Sequence, residues 1–456
     1  MIKTEKMEKL PEGWKRVRLG EVCEKIFSGA TPLRSDAAFW EHGEIPWLTN
    51  EEVQDGKINY IYGTREKVSK MALEKTNVNL IPSNALILSL TASVGKVAIN
   101  MIPLTTNQQF NSFVLDNKRT ISQFLAFYLL FVKNKIVSLG GSTTFDFISK
   151  SKITDFEIFL PPLPEQQKIA EILETVDNAI EKTDAIIQKY KRIKQGLMQD
   201  LLTRGVVENY ELGIMNYGSE FRKRESGIMN DELGVVNHES EIGNWELRDE
   251  KKHKFKDSPL GRIPEEWEVV RLGDAAEILD NSRIPLDSEY RATIKGDFPY
   301  CGATGIIDYI NDYIFDGEYL LIAEDGGNFD RFEETAYIMR GKFWVNNHVH
   351  ILKGKNGILD NSFLMYFVNF QDVSRYISGS TREKLNQRLL KSVVIPLPPL
   401  SEQRHIASIL SQVDEVIEKE QKYKEKLERI KQGLMEDLLT GRIMVNDLIE
   451  HSYIEN

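Results

Sequence analysis

Two cysteines in 456 residues, Cys23 and Cys301, are too few and too far apart in sequence for a disulfide framework or a zinc cluster. A reducing compartment fits, and the expectation is a cytoplasmic protein. No stretch approaches the roughly eighteen uninterrupted apolar residues of a membrane span. The longest, FLAFYLLFV at residues 124–132, is half that length and reads as a buried helix. The opening MIKTEKMEKL lacks the apolar core of a signal peptide. Catalytic signatures are missing too. There is no phosphate loop of the G-x-x-x-x-G-K-[ST] form. An adenine methyltransferase needs an Asn/Asp-Pro-Pro-aromatic tetrad to hold a flipped base, yet Pro-Pro occurs only at Pro161-Pro162 and Pro398-Pro399, each after Leu. Glu250-Lys251-Lys252 spells a nuclease-like Glu-x-Lys, but it stands in a charge run with no upstream Asp. His348 and His350 fall on one face of an expected strand with no third ligand, so no metal site is expected. Positive charge is also short, with a net charge of −11. It is uneven: residues 1–159 carry 20 Lys and Arg against 17 Asp and Glu, and residues 258–396 carry 15 against 21. Net charge bears on solubility and steering; it does not exclude one face from binding nucleic acid.

What the chain does have, it has twice. Residues 160–203 (LPPLPEQQKIAEILETVDNAIEKTDAIIQKYKRIKQGLMQDLLT) align without a gap to residues 397–440 (LPPLSEQRHIASILSQVDEVIEKEQKYKEKLERIKQGLMEDLLT), with about 27 of the 44 positions identical. Each copy opens on Pro-Pro and places Pro164 or Ser401, then Glu165 or Glu402, in the first helical turn. There a proline's missing N–H costs nothing and a carboxylate suits the positive helix end. Apolar residues then step by three and four: Ile169, Leu173, Val176, Ile180, Ile187, Leu197 in the first copy, and Ile406, Leu410, Val413, Ile417, Leu427, Leu434 in the second. That spacing predicts a coiled-coil seam. Polar breaks at Thr183 and Lys194 match Glu420 and Lys431, so each copy is expected to be the other's partner. Forty helical residues would make a rod of about 60 Å.

The two globular blocks that alternate with the rods open alike (Gly13-Trp14…Val17-Arg18-Leu19-Gly20 and Glu266-Trp267…Val270-Arg271-Leu272-Gly273) and then diverge. Both show short apolar runs with glycine turns, then a helical run and a last strand, which implies mixed α/β domains. Residues 205–257 are polar and charge-dense, with a stammered phrase (ELGIMN, ESGIMN, ELGVVN), and read as a loosely ordered linker. The expected division is 1–160 first domain, 161–204 first long helix, 205–257 linker, 258–397 second domain, 398–442 second long helix and 443–456 tail.

This ordered set resembles the specificity subunit of type I restriction-modification systems. The twin LPPLxEQ starts, the twin IKQGLMxDLLT ends and the paired W-x-x-V-R-L-G openings carry the likeness. So do Ser28-Gly29-Ala30-Thr31-Pro32, GEIPWL at 43–48, YCGATG at 300–305 and AEDGG at 323–327. The resemblance implies an α+β chain duplicated about a pseudo-two-fold. Two α/β target-recognition domains would be separated by two long helices packed as an antiparallel coiled coil. Each domain would read one half of an asymmetric bipartite site on double-stranded DNA. The helices would set the gap and dock two methyltransferase subunits, through which restriction subunits join. The chain itself would be non-catalytic and would direct N6-adenine methyltransferase and endonuclease partners. S-adenosylmethionine and ATP would be held by those partners, with no cofactor on this chain and no membrane association. The rival readings are a coiled-coil adaptor with two protein-binding domains and a stand-alone methyltransferase or nuclease.

Candidate DNA contacts follow from side-chain chemistry: Arg and Lys for guanine and phosphate, Asn and Gln for adenine, Ser and Thr for either. In the first domain these are Lys96, Asn107, Gln108, Gln109, Thr143, Thr144, Lys150 and Lys152. In the second they are Asn328, Arg331, Asn346, Asn347, Arg382, Lys384 and Arg388.

Overall fold

The computed structural model describes residues 10–140, 147–208, 245–377 and 384–445. The chain divides into two compact units, one of residues 1–184 with 422–456 and one of residues 185–421. Each unit holds a globular domain and half of each long helix, so the division falls within the helices and not at their ends.

In the first unit, β1 (Lys15–Arg18) pairs antiparallel with the domain's last strand, β10 (Glu157–Leu160). Between them, β2 (Cys23–Ser28), β4 (Ile58–Ile61), β6 (Leu86–Ser89), β7 (Val97–Asn100) and β9 (Phe110–Leu115) form a sheet of order β2-β9-β6-β7-β4. A smaller sheet has the order β5-β3-β8, from β3 (Ile45–Leu48), β5 (Glu66–Val68) and β8 (Thr105–Thr106). β6 and β7 each open on three consecutive apolar residues because both faces are covered. Side chains alternate across a strand, so Leu86 and Leu88 enter one core while Ile87 enters another. Short helices α1 (Lys70–Lys75), α3 (Lys133–Ser138) and α4 (Lys150–Thr154) flank α2 (Ser122–Phe131). The helical run expected here is interrupted at Val132, between α2 and α3. Most of α2 is buried, as a helix apolar on all sides from Phe124 onward must be. The first long helix, α5 (Leu163–Leu201), follows β10.

The second unit repeats this plan with little shared sequence. β15 (Glu268–Arg271) pairs with β22 (Val394–Leu397), as β1 does with β10. The sheet of order β16-β21-β19-β20-β17-β18 uses β16 (Ala276–Ile278), β17 (Lys295–Gly302), β18 (Gly305–Ile310), β19 (Phe315–Ala323), β20 (Ala336–Val345) and β21 (Val349–Gly354). The ten-residue β20 does the work of β7 and β8 together. Its start pairs with β19, and its end runs parallel to β17 as β8 does to β3. Its helices are α6 (Leu272–Ala275), α7 (Ser288–Thr293), α8 (Asn361–Phe370) and α9 (Gln387–Ser392), before the second long helix, α10 (Leu400–Leu439).

The described ends of the linker are not loose. β11 (Val206–Glu208) pairs with β12 (Trp245–Leu247), and β13 (Phe255–Ser258) with β14 (Gly261–Pro264). Arg248 is buried and bridges to Glu402, its Nη2 standing 3.1 Å from Oε2. Glu250 pairs with Arg262 at 2.9 Å, a surface ion pair. The stammered phrase lies outside the described residues.

The LPPLxEQ phrase is explained by two buried side chains per copy. Trp14 Nε1 donates to Glu165 Oε2 at 3.0 Å, and Trp267 Nε1 to Glu402 Oε2 at 3.1 Å. Gln166 accepts from Thr120 Oγ1 and Ile121 N–H and donates to the Arg119 and Pro161 carbonyls, clamping the start of α2. Gln403 accepts from Asp360 N–H and donates to the Ile358 and Pro398 carbonyls at the start of α8. Each long helix is thereby fixed to its own domain. Gly205 must lack a side chain, because a Cβ there would meet Glu402 and Trp267.

The helix halves run antiparallel within each unit. In the first, Lys431 lies 2.5 Å from Asp177 and Lys424 2.6 Å from Asp184. In the second, Lys194 lies 2.6 Å from Asp414, while Leu201 shares a core with Ile406. The lysine breaks are therefore answered by aspartates of the facing helix. Lys431 also sits over the Phe127 ring of α2 and Lys194 over the Tyr366 ring of α8. Thr183 is buried and turns its hydroxyl back to the Ala179 carbonyl. Ile169, Leu173, Ile187, Ile406, Leu410, Ile417 and Leu427 are buried; Val176, Ile180, Leu197, Val413 and Leu434 are half-buried. Ile169 and Leu173 belong to the first domain's core, and Ile406 and Leu410 to the second's. Among the described residues, no helix is long and apolar enough to cross a membrane.

Candidate nucleic-acid interface

Two of the sequence candidates turn out to be the same feature. After β8, the Asn107 N–H donates to the Leu48 carbonyl at 3.0 Å; after β20, the Asn346 N–H donates to the Cys301 carbonyl at 3.0 Å. Asn107 Oδ1 accepts the Gln109 N–H at 3.1 Å, and Asn346 Oδ1 accepts the His348 N–H at 2.8 Å. Each is a turn closed by an asparagine side chain. The Gln109 carbonyl then accepts from Leu90 N–H, and the Leu90 carbonyl from Ile148 N–H. In the second domain, the His348 carbonyl accepts from Glu324 N–H, and the Glu324 carbonyl from Leu385 N–H. The residues after Ile148 and Leu385, Ser149 and Asn386, cap α4 and α9. One hydrogen-bonded chain thus brings Asn107–Gln109 beside residues 147–150, and Asn346–His348 beside residues 384–388.

Within that frame the side chains divide. Asn107 and Asn346 are each 8% exposed, and Asn107 Nδ2 also donates to Gln109 Oε1 at 2.9 Å. Gln108 and Asn347, at the turn tips, are exposed. In the first domain the turn lines a groove of about 490 Å³ with Thr31, Thr49, Arg65 and Arg34. Gln108 Oε1 accepts from Thr31 Oγ1. Gly29 of the Ser-Gly-Ala-Thr-Pro phrase runs so close to the Asn107 carbonyl that no Cβ fits there. Arg34 forks onto Glu66 at 2.6 and 2.8 Å and stacks on Trp40 and Trp47. That bond holds the Glu66 carboxyl below its ordinary range. Arg65 was missed by sequence reading: it stands in an ordinary Thr-Arg-Glu stretch, and only the fold places it here.

The basic candidates are largely committed elsewhere. Lys96 Nζ donates to the Asn50 carbonyl at 2.8 Å, Lys150 to Ile26 at 2.9 Å and Lys152 to Leu139 at 2.7 Å. Arg331 donates to Gln199 and stacks on Phe332 and Phe370. Asn328 is exposed and closes a turn onto Asp330 N–H, while Arg388 is exposed on α9. Thr143, Thr144 and Arg382 lie outside the described residues.

Lys384 joins a buried charge network that sequence reading did not see. Its Nζ lies 2.9 Å from Glu324, which also takes Arg283 at 2.6 Å. His350 Nδ1 meets Asp280 at 2.7 Å, and its Nε2 meets the Leu385 carbonyl at 2.5 Å. Burial pushes the Asp280 carboxyl up, but the His350 bond and the His350 and Arg283 charges outweigh it and hold it below its ordinary range. Glu324 is likewise pushed up by burial but brought below its ordinary range by Arg283 and Lys384. The two histidines do not share a strand face. His350 lies in β21, whereas His348 ends the turn and pairs with Asp325 at 2.6 Å. No cluster of three metal-ligating side chains occurs among the described residues.

A surface amide on a buried turn is thus built twice, once in each domain. The type I restriction enzyme MjaIX specificity subunit of Methanocaldococcus jannaschii is 24% identical, over 96% of this chain and 96% of its own. The type I restriction enzyme EcoprrI specificity subunit of Escherichia coli is 24% identical over 86% of each. Among solved structures, the S subunit of a type I restriction-modification system from M. genitalium superposes with a TM-score of 0.58 at 15% identity, covering 94% of this chain and 97% of that one. A chain from a structure concerned with complex assembly and conformational transition of the type I R-M system gives 0.51 at 17%, covering 95% and 100%. At such identities these likenesses show the fold. The family described as type I restriction modification DNA specificity domain matches residues 11–192 and 264–429, which take in both globular domains and most of each long helix, and the chain belongs to that family.

Proposed function

We infer that this chain is the DNA-reading subunit of a type I restriction-modification assembly. Each globular domain reads one half of an asymmetric two-part site, and the antiparallel helices set the gap and carry two methyltransferase subunits. Methyl transfer and cleavage, with S-adenosylmethionine and ATP, belong to those partners and to the restriction subunits they recruit. The observation that carries this reading is the asparagine-closed turn found in both domains on the same hydrogen-bonded frame, set in domains of otherwise unlike sequence. A common frame in unlike surroundings is what an asymmetric bipartite site requires. Relatives named as type I restriction enzyme specificity subunits support the assignment.

The test is selection of bound sites from a random duplex library by the purified full chain, at several salt concentrations. The expected result is a two-part motif with a fixed gap, and binding that falls steeply with salt because several phosphates are held. Binding without sequence preference, or methyl transfer by the chain alone, would overturn it.

A further inference from the structure

The two turns differ in their tips, yet the tips share one chemical character. Gln108 and Asn347 each follow the buried asparagine, each is exposed, and each ends in a primary amide. Turn chemistry does not ask for this. Glutamine has no turn preference of the kind asparagine has, and neither tip lies in the left-handed backbone region. The buried asparagines already close the turns, so the tip amides are spare. An amide offers an acceptor and donors side by side, which matches the N6 donor and N7 acceptor of adenine in the major groove. In the first domain the amide is oriented beforehand. Thr31 Oγ1 donates to Gln108 Oε1, leaving its second lone pair and the NH2 group directed by that contact. Arg65 and Thr49 line the same groove. In the second domain the tip is one methylene shorter and is followed by His348, which Asp325 holds at 2.6 Å.

Resting on the reading above, we propose that Gln108 and Asn347 are equivalent specificity determinants, each recognising an adenine in the half-site of its own domain. Each half-site then contains one A·T pair read by the tip amide. The frame beneath it is common, and the other bases of each half-site are read by what the two domains do not share.

The test uses the full chain in the same library selection, with Gln108→Ala and Asn347→Ala. Each variant is expected to lose preference at one A·T position, by roughly tenfold or more, in one half-site only, with the other half-site and the gap unchanged. Gln108→Glu, which keeps the shape but turns the donor into an acceptor, is expected to abolish the adenine preference and favour cytosine there. Folding is checked by thermal melting of each variant, and the unchanged half-site is an internal control. If both variants keep every wild-type preference, or lose a G·C position instead, the inference fails while the two-part reading stands. If the wild-type chain selects no motif at all, the reading beneath it fails as well.

Discussion

Glu165 and Glu402 occupy the same place in a duplicated phrase and carry opposite consequences. Burial raises the Glu165 carboxyl above its ordinary range against the opposing Trp14 bond, whereas the Glu402 carboxylate is held in a buried ion pair with Arg248. For a raised folded value, the contribution to stability is complete below the unfolded value near ~4.3 and is lost as pH rises through the folded one. At pH 7 the buried Glu165 carboxylate is therefore a cost. Glu165→Gln keeps an oxygen for Trp14 and is expected to shift stability by about 1 kcal/mol or less, in the stabilising direction. Glu402→Gln removes the partner of the buried Arg248 guanidinium and should cost about 3–5 kcal/mol. The cost should sit toward the lower figure because Glu266 still reaches Nη2 at 2.8 Å. Urea denaturation of the two variants beside wild type measures both, and equal effects would refute the asymmetry. Asp280 gives the reverse sign. Its lowered folded value means its contribution is present above the unfolded value near ~3.9 and is lost as pH falls through the folded one. Asp280→Asn should destabilise at pH 7 and show a flatter loss of stability than wild type as pH falls below about 4, followed by urea midpoints across the acid range.

At the scale of elements, the paired start of helix and domain is where the cores are most exposed to damage. Leu173 and Leu410 are both fully buried and stand at equivalent places in α5 and α10. Leu173→Ala and Leu410→Ala should each cost about 2–5 kcal/mol. Because the two cores are separate, each substitution should increase hydrogen exchange in its own domain first; protection lost equally in both would count against two cores. This part was legible because the phrase occurs twice: a gapless repeat, a three-four step and matched lysines already implied facing helices. What could not be read was the chemistry of the partners. Nothing in a polar linker marks Arg248 as a cation that goes inside, and Asp177 and Asp414 look like ordinary surface residues until a facing lysine meets them. Asn107 and Asn346 were legible as amides of interest but not as buried turn-formers. An asparagine that bonds its own backbone has the same letter as one that faces solvent. The shared topology of the domains was hidden for a similar reason. Strand order depends on long-range pairing, and β20 covers in one strand what β7 and β8 cover in two.

For the whole molecule, the repeat has a consequence that a single domain would not. Equivalent pairs recur in the two units, Lys431 with Asp177 and Lys194 with Asp414, so the same register is set from both ends. Removing residues 182–188 together with 419–425 takes one heptad from the middle of each helix. Both pairs survive, as do both Glu-Gln clamps, and only Lys424 with Asp184 is lost among these contacts. Seven helical residues rise about 10.5 Å, close to three base pairs at about 3.4 Å each. Because the domains and their turns are untouched, the half-site sequences should stay as they are while the gap shortens by about three base pairs. Site selection with the double deletion reads this directly. Retention of the old gap would mean that the helices do not set it, whereas altered half-sites would mean that the domains are not independent readers. A deletion in one helix alone breaks the register that the paired lysines hold. It should give a destabilised protein with no defined gap, which separates helix length as a ruler from helix length as mere support.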